Sequence, residues 1–172
     1  MNPNIIIGNL CTLLAMGANA FSSTRKNMKS VLRTQNLGQV IYFASAIVLG
    51  GYSAAVQNVV SILRNIVAIR NVKSKAIQWI LTALGFVFGI VFNNRGLMGL
   101  LPVVGNLQYT LAIFRFKDNE QAVKLSFLLS SLCYAVFNIV LRNYVGIVSD
   151  TVVAITTAVV LLKGLKKTEN EK

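Results

Sequence analysis

The chain has 172 residues, of which 55% are hydrophobic and 13% are charged, and its mean hydropathy is +0.63. A soluble domain needs a charged surface that this composition cannot supply, so we expect a membrane protein with almost no soluble part. The net charge of +12 does not indicate nucleic-acid binding, because the basic residues lie between apolar runs and do not gather on one water-exposed face.

Apolar runs separated by short polar segments predict seven membrane-spanning helices, since about 20 apolar residues cross a bilayer core. In chain order the predicted helices cover residues 5–22, 34–50, 53–70, 75–93, 97–115, 124–141 and 144–163. No signal peptide is expected, because no basic residue precedes the first apolar stretch. Cys11 and Cys133 fall inside predicted helices and are expected to be buried thiols.

The placement of Lys and Arg in alternate loops predicts the orientation of the chain. Short cytoplasmic loops carry an excess of basic residues, so the N-terminus is predicted outside and the C-terminus in the cytoplasm. Of the 17 basic residues, only Arg95 and Arg142 fall on the outer side. The other fifteen are Arg25, Lys26, Lys29, Arg33, Arg64, Arg70, Lys73, Lys75, Arg115, Lys117, Lys124, Lys163, Lys166, Lys167 and Lys172.

Two segments of the sequence are repeated further along the chain. "GNLCTLLA" at 8–15 returns as "GNLQYTLA" at 105–112, an offset of 97. "YFASAIVLGGYSAAVQN" at 42–58 aligns without a gap with "YAVFNIVLRNYVGIVSD" at 134–150, an offset of 92. A longer loop after the first helix would absorb the difference of five. Helices one to three are therefore predicted to correspond to helices five to seven.

The fourth helix then returns the chain to its starting side, so both three-helix units run in the same direction. The predicted fold is an all-α integral membrane protein with seven transmembrane helices, arranged as two parallel triple-helix bundles joined by a linker helix (3+1+3). The bundles cover 1–72 and 96–163, the linker helix 73–95 and the cytoplasmic tail 164–172. In transporters with parallel repeats, the substrate site lies near the midplane where the repeats face each other. The other interpretation is that the duplication only builds a stable bundle.

Asp150 is the strongest candidate for a pathway residue, because the other four acidic residues lie in a loop or the tail. Its repeat mate is Asn58, and both are predicted about 9 Å in from the outer ends of their helices. The neighbouring Gln57 and Ser149 also correspond and are weaker candidates. The structural alternative is that Asp150 is neutralised by protonation or by Arg64.

Asn9 and Asn106 occupy the same repeat position beside Gly8 and Gly105, where helices can approach closely. Interhelical hydrogen bonds there are at least as good an interpretation as contact with a solute. Asn138 is a further pathway candidate.

Pro102 is a candidate for a kink in the fifth helix that frees a backbone carbonyl and acts as a gating hinge. The alternative is that it serves packing alone, since proline is common in spanning helices. Trp79 is predicted to anchor the connecting helix at the membrane interface. Gln108 and Tyr109 are weaker pathway candidates.

The residue types needed for chemistry are missing from the predicted helices. The chain has no histidine and no pair of acidic residues within them, and no phosphate-binding glycine loop. We therefore expect no enzymatic activity, no metal and no cofactor.

The segments "LLPVVGNLQYTLAIFRFK" at 100–117 and "GGYSAAVQNVVSILRN" at 50–65 resemble the YgjV-type bacterial inner-membrane protein family, over most of the chain. This family looks distantly similar to the PQ-loop superfamily, which includes the SWEET (MtN3-like) sugar transporters. The resemblance implies two triple-helix bundles, a linker helix, an outside N-terminus and a location in the bacterial inner membrane. An asparagine on the third helix of each bundle contacts the solute in the sugar transporters. Asn58 matches it, whereas Asp150 departs from it, Trp79 lies on a different helix from the pocket tryptophan, and the chain has no Pro-Gln dipeptide.

The sequence thus predicts a small polar solute transporter or facilitator that works by alternating access between two triple-helix bundles, with sugar-like solutes among its candidates. The alternative is a non-transporting membrane scaffold or accessory protein, in which the polar residues only pack helices together. The expected partners are a small-molecule solute and membrane lipid, with no nucleic acid.

Overall fold

The computed structural model describes residues 2–23, 28–70, 72, 74–116 and 119–170, and the regular structure within them is helical. The predicted number of helices is confirmed. Five residues of the charge count, Arg25, Lys26, Lys73, Lys117 and Lys172, lie outside the described residues. The helices are α1 (Pro3–Ser23), α2 (Met28–Val48), α3 (Tyr52–Ile69), α4 (Lys75–Val91), α5 (Leu101–Arg115), α6 (Glu120–Leu141) and α7 (Tyr144–Asn170), with a 3₁₀ helix at Gly96–Leu100 directly before α5.

Two helices extend further than their apolar runs. The second helix begins at Met28, six residues before the predicted start, and α7 continues to Asn170, through the region predicted as a tail. An apolar run marks only the part of a helix that suits hydrocarbon, whereas Lys, Arg, Gln and Glu can continue the same helix into a polar environment.

Among the described residues, four helices are both long and apolar enough to be recognised as membrane spans by composition: Pro3–Phe21, Gly96–Arg115, Gln121–Leu141 and Tyr144–Leu162. The α4 helix is apolar but has 17 residues. Four polar residues of α3 are buried: Gln57, Asn58, Ser61 and Asn65. A helix whose polar side chains face other helices cannot be recognised from its mean hydropathy alone.

The helix contacts follow the predicted correspondence between the first three and last three helices. The contact of α1 with α2 has its counterpart in α5 with α6, and that of α2 with α3 in α6 with α7. Contacts of α1 with α7 and of α3 with α5 join the two sets. The α4 helix packs against α3 and α5.

The second sequence match also appears in the backbone. Met28 and Glu120, which begin α2 and α6, lie 92 positions apart, as do Tyr52 and Tyr144, which begin α3 and α7. The connecting turns are alike, because Gly51 N–H donates to the carbonyl of Ala46 and the N–H of Asn143 to the carbonyl of Asn138, at 2.7 and 2.9 Å. These four residues are two pairs of repeat mates, so the α2–α3 and α6–α7 hairpins share one turn geometry.

A small apolar cluster joins the two hairpins. It consists of Ala46, Leu49, Ala54 and Ala55 of the α2–α3 hairpin with Phe137 and Leu141 of α6, and we call it the hairpin cluster. Phe137 is 1% exposed. Large apolar side chains elsewhere point outward, as Leu14 and Ile155 do, with 66% and 58% of their surfaces exposed. Such a surface suits contact with lipid.

Candidate functional site

Asp150 is held by a side chain of the helix that precedes it. The Nδ2 atom of Asn138 donates a hydrogen bond to Oδ2 of Asp150, at 2.8 Å. Asn138 is itself positioned by Asn143, whose Nδ2 donates to Asn138 Oδ1 at 3.0 Å. Asn143 in turn accepts from the N–H of Gly146, at 3.1 Å. The carboxylate is thus fixed by the polar residues of the α6–α7 hairpin.

Two tyrosines at equivalent repeat positions lie near this carboxylate. Tyr42 on α2 interacts electrostatically with Asp150 and lies near the side chains of Ser149 and Asn19. Tyr134 on α6 also interacts electrostatically with Asp150. Both predicted repeats therefore contribute a phenol to the surroundings of one acidic group.

Asn58 lies close to the hairpin cluster on the same face of its helix. It follows Ala54 and Ala55 by about one turn, and those two residues belong to the cluster. Asn58 is 8% exposed, its side chain makes no hydrogen bond with another described residue, and its amide atoms are not among the fully enclosed side-chain atoms that lack a partner. Tyr134 likewise precedes the cluster residue Phe137 by about one turn. We call Tyr42, Asn58, Tyr134, Ser149 and Asp150 the interior polar group.

Asn58 and Asp150 are not joined by a hydrogen bond, and the partner of Asp150 is Asn138. The alternative ion pair with Arg64 is absent among the described residues too. Arg64 Nη1 donates to Oδ1 of Asn106 at 3.3 Å and to Oγ1 of Thr110 at 3.1 Å.

Arg64 also lies over a ring of α5. Its guanidinium carbon is 5.2 Å from the ring centroid of Tyr109, a cation–π contact. Arg64 interacts electrostatically with Tyr134 as well.

Gln57 and Asn106 form a second polar cluster, between α3, α4 and α5. Gln57 is 1% exposed, and its Nε2 donates to the carbonyl of Gly85 on α4 at 2.8 Å. Asn106 Nδ2 donates to Oε1 of Gln57 at 2.9 Å, and its Oδ1 accepts from Ser61 at 3.3 Å. Every polar atom of the two amide groups is thus used to pack helices.

Asn9 has a different role from its sequence mate Asn106. Its Nδ2 donates to the carbonyl of Arg142 at 3.1 Å, and its Oδ1 accepts from the N–H of Val145 at 3.0 Å. It therefore fixes the turn between α6 and α7. At the other hairpin, Arg95 Nε donates to the carbonyl of Gly50 at 3.1 Å.

The first sequence match does not mark equivalent positions in the packing. A side chain at Gly8 would overlap Leu49 of α2, whereas one at Gly105 would meet Cβ of Cys133 on α6 at 3.1 Å. The repeat mate of Leu49 is Leu141, eight residues beyond Cys133, which is about 12 Å along the helix. The alignment of the two "GNL" segments was therefore wrong in position along the helix axis. Gly8 and Gly105 lie on corresponding helix faces, but at different distances from the hairpin turns.

Pro102 lies at the start of α5, where the 3₁₀ helix passes into the α-helix, and it is buried. Proline in the first turn of an α-helix removes no helical hydrogen bond, so Pro102 marks the start of α5 and does not interrupt it, and its role as a gating hinge stays a prediction. Gln108 Nε2 donates to the carbonyl of Ser126 at 2.6 Å and so packs α5 against α6. Trp79 is 56% exposed.

Comparison with known proteins gives one match. The family model Imp-YgjV, described as bacterial inner membrane protein, matches residues 6–168. The chain belongs to this family. No curated protein and no solved structure matches it.

Membership of Imp-YgjV locates the chain in the bacterial inner membrane, which agrees with its apolar outer surface. Polar groups inside such a protein require partners, because hydrocarbon offers none.

Sequence reasoning missed Asn143 and the two tyrosines as site residues. The alignment of Tyr42 with Tyr134 was a usable signal, since two hydroxyl groups at equal positions of a repeat are as informative as the aligned Asn58 and Asp150. Among the described residues, no three His, Cys, Asp or Glu side chains are placed to hold a metal ion.

Proposed function

We propose that this protein is a small polar solute transporter or facilitator, which works by alternating access between two triple-helix bundles, residues 1–72 and 96–163. All seven helices span the membrane in this proposal, with α4 as the linker, the N-terminus outside and the C-terminus in the cytoplasm. The solute contacts the interior polar group. The amide, hydroxyl and carboxylate groups of the interior polar group can hydrogen-bond a hydroxylated, sugar-like solute. The solute is bound and released unchanged.

The observation that carries the proposal is the position of Asp150 among groups from both bundles. Tyr42 of the first bundle and Tyr134 of the second both interact with its carboxylate. An ionisable side chain inside a membrane protein is costly and is usually found at a pathway or in a polar interior. The surroundings of a carboxylate that interacts with both bundles would change when the bundles move relative to each other.

Asn58 supports the same position for the solute. A mostly buried amide usually has hydrogen-bond partners. The side chain of Asn58 is 8% exposed and makes no hydrogen bond with another described residue, and its amide atoms are not among the fully enclosed ones that lack a partner, so they are accessible to a partner from outside the chain. A bound solute with hydroxyl groups would supply both a donor and an acceptor to it.

The hairpin cluster supplies the closed end that alternating access requires. It packs Phe137 and Leu141 of the second bundle against Ala54 and Ala55 of the first. Asn58 follows these alanines by about one turn, away from the turn at Gly50. This arrangement supports a conformation that is closed at the hairpin end, and a solute would reach the interior polar group from there only after the cluster separates.

The matched helix contacts support the bundle arrangement. Among the described helices, the packing of α1 with α2 and of α2 with α3 has counterparts in α5 with α6 and α6 with α7, and the contacts of α1 with α7 and of α5 with α3 correspond. The two hairpin turns also have the same hydrogen bonds. Such a pattern is expected when a three-helix unit is copied and the copies are related by rotation about an axis along the membrane normal.

The alternative function, a membrane scaffold or accessory protein, is favoured by a different observation. Four side-chain amides form hydrogen bonds between helices or turns: those of Asn9, Gln57, Asn106 and Asn138. If this also holds for Asp150 and Asn58, the polar interior only determines how the helices pack.

A ligand screen on the purified full chain separates the two functions. We expect a subset of neutral hydroxylated solutes to raise the thermal unfolding temperature of the wild type, and the same solutes to equilibrate across proteoliposomes. Asn58→Ala and Asp150→Asn should each weaken solute binding by about tenfold or more, since a hydrogen bond to a charged group contributes about 1.5–3 kcal/mol. Both variants should still fold.

Thr156→Val is the matched control. Thr156 lies on the same helix as Asp150, but it is exposed and its hydroxyl bonds the carbonyl of Val152. We expect solute binding and flux of this variant to equal those of the wild type. If no solute stabilises the wild type, and Asp150→Asn only lowers the unfolding temperature, the scaffold function replaces our proposal.

A further inference from the structure

A cavity of about 330 Å³ lies between α4 and α5, apart from the interior polar group. Lys75 and Arg115 line it at the end where α4 begins and α5 ends. The charge distribution predicts that this end faces the cytoplasm. The cavity is therefore expected at the level of lipid headgroups on the inner side of the membrane.

The described charged residues that line the cavity are positive. Its lining, among the described residues, includes two cations and no carboxylate. Gln78 adds an amide beside Lys75. Two cations near each other repel, so an anion between them would be stabilised by both.

The first turn of α4 adds to this field. Lys75 is its first residue, and the N-cap Ser74 forms no side-chain hydrogen bond with the helix. The free N–H groups at a helix start carry a partial positive charge and favour anions such as phosphate.

The other walls of the cavity are those that a lipid needs. Trp79 and Phe114 line it, and Thr82, two turns beyond Lys75, lines its deeper part. The same face of α4 continues beyond Trp79 with exposed apolar residues, Phe86 and Ile90, which are 46% and 44% exposed. A charged mouth that leads to an apolar face matches a headgroup phosphate joined to acyl chains, whereas a free phosphate ion would gain nothing from that face.

We propose that this cavity binds the phosphate group of an anionic phospholipid, with Lys75 and Arg115 as its ligands. The lipid would lie along α4, the helix that contacts both α3 and α5. The proposal does not depend on transport, because it concerns a different surface of the protein.

Lipid binding by the full chain tests the proposal. Purified protein is stripped of lipid, mixed with phosphatidylglycerol or with phosphatidylcholine of the same acyl chains, and analysed by native mass spectrometry. We expect one retained phosphatidylglycerol per chain and little phosphatidylcholine. Lys75→Gln and Arg115→Gln should each lower retention about fivefold, and the double variant about 25-fold, by the usual contribution of a basic residue near an anionic membrane surface.

Arg70→Gln is the matched control, because Arg70 follows the last residue of α3 and does not line the cavity. We expect it to retain phosphatidylglycerol like the wild type. Equal loss in all three single variants would show general attraction to anionic lipid and overturn the proposal. It is also overturned if inorganic phosphate at the same free concentration displaces the lipid completely, since the acyl chains would then add nothing.

Discussion

Gly50 and Arg142 lie 92 positions apart and adopt the same left-handed backbone, with φ of 70° and 56°. Each ends the second helix of its repeat and begins the turn to the third. Glycine tolerates this conformation, whereas an L-residue such as arginine pays roughly 1–2 kcal/mol for it. The two hairpins therefore share a geometry that the first satisfies without strain and the second does not.

Arg142→Gly should stabilise the protein. We expect a gain of about 0.5–1 kcal/mol in the free energy of unfolding, because the relief of strain exceeds the extra entropy of glycine in the unfolded chain. The measurement is unfolding by denaturant in mixed micelles. Gly50→Ala is the mirror variant and should lose about 1 kcal/mol, since it introduces the same strain. A less stable Arg142→Gly would mean that the side chain of Arg142 matters more than its backbone.

Asn138→Leu should destabilise the protein through Asp150. Removal of the donor leaves a partly buried carboxylate without its hydrogen bond, at a cost of about 1–3 kcal/mol. A double-mutant cycle with Asp150→Leu measures the coupling, which we expect to be about 1 kcal/mol or more. Ser131→Ala is a suitable control, because Ser131 bonds only the carbonyl of Phe127 on its own helix. Strict additivity of Asn138→Leu and Asp150→Leu would exclude an energetic role for the hydrogen bond.

Gly89→Ala should loosen the packing of α4. A methyl group there would lie 2.6 Å from Nε2 of Gln57 and 2.7 Å from a methyl of Val103, which is too close without movement. We expect a loss of about 1–3 kcal/mol, as for overpacked cores. Gly85→Ala, with its nearest contact at 3.2 Å, should cost less. Gly17→Ala meets nothing within 4 Å and should leave the unfolding midpoint unchanged or raise it.

Phe137→Ala should open the hairpin end of the interior. Phe137 is the largest side chain of the hairpin cluster, so its truncation leaves a space beside Ala54. In a background without Cys11 and Cys133, a cysteine at position 54 should be slow to react with a membrane-impermeant thiol reagent, and Phe137→Ala should increase that rate about tenfold. Leu132→Ala serves as the control, because Leu132 lies on the same helix but is 48% exposed. Equal rates in all three proteins would show that the cluster does not limit access.

Local sequence patterns predicted the helices and the hairpins well. The aligned runs 42–58 and 134–150 place Tyr52 opposite Tyr144, and these two residues begin α3 and α7, because the turn before each helix is determined by a few neighbouring residues. The "GNL" match failed in depth for the opposite reason. Tertiary packing determines which residue of α2 or α6 a glycine contacts. An isolated eight-residue segment carries no information about that contact.

The candidate site was predicted only in part. Asp150 and Asn58 could be found because a polar residue is conspicuous in an apolar helix. Their surroundings could not, since Asn138 reaches Asp150 across a hairpin and Arg64 reaches Asn106 across 42 positions of sequence. Long-range partners of this kind follow from the bundle geometry and not from spacing along the chain.

The position of α4 makes the two contacts between the repeats different, that of α3 with α5 and that of α1 with α7. By packing against both α3 and α5, it braces one of the two lines along which the repeats meet. The line between α1 and α7 has no comparable brace among the described helices. In the alternating access that we propose, separation of the repeats would therefore start between α1 and α7, and lipid beside these two helices would have to move aside first.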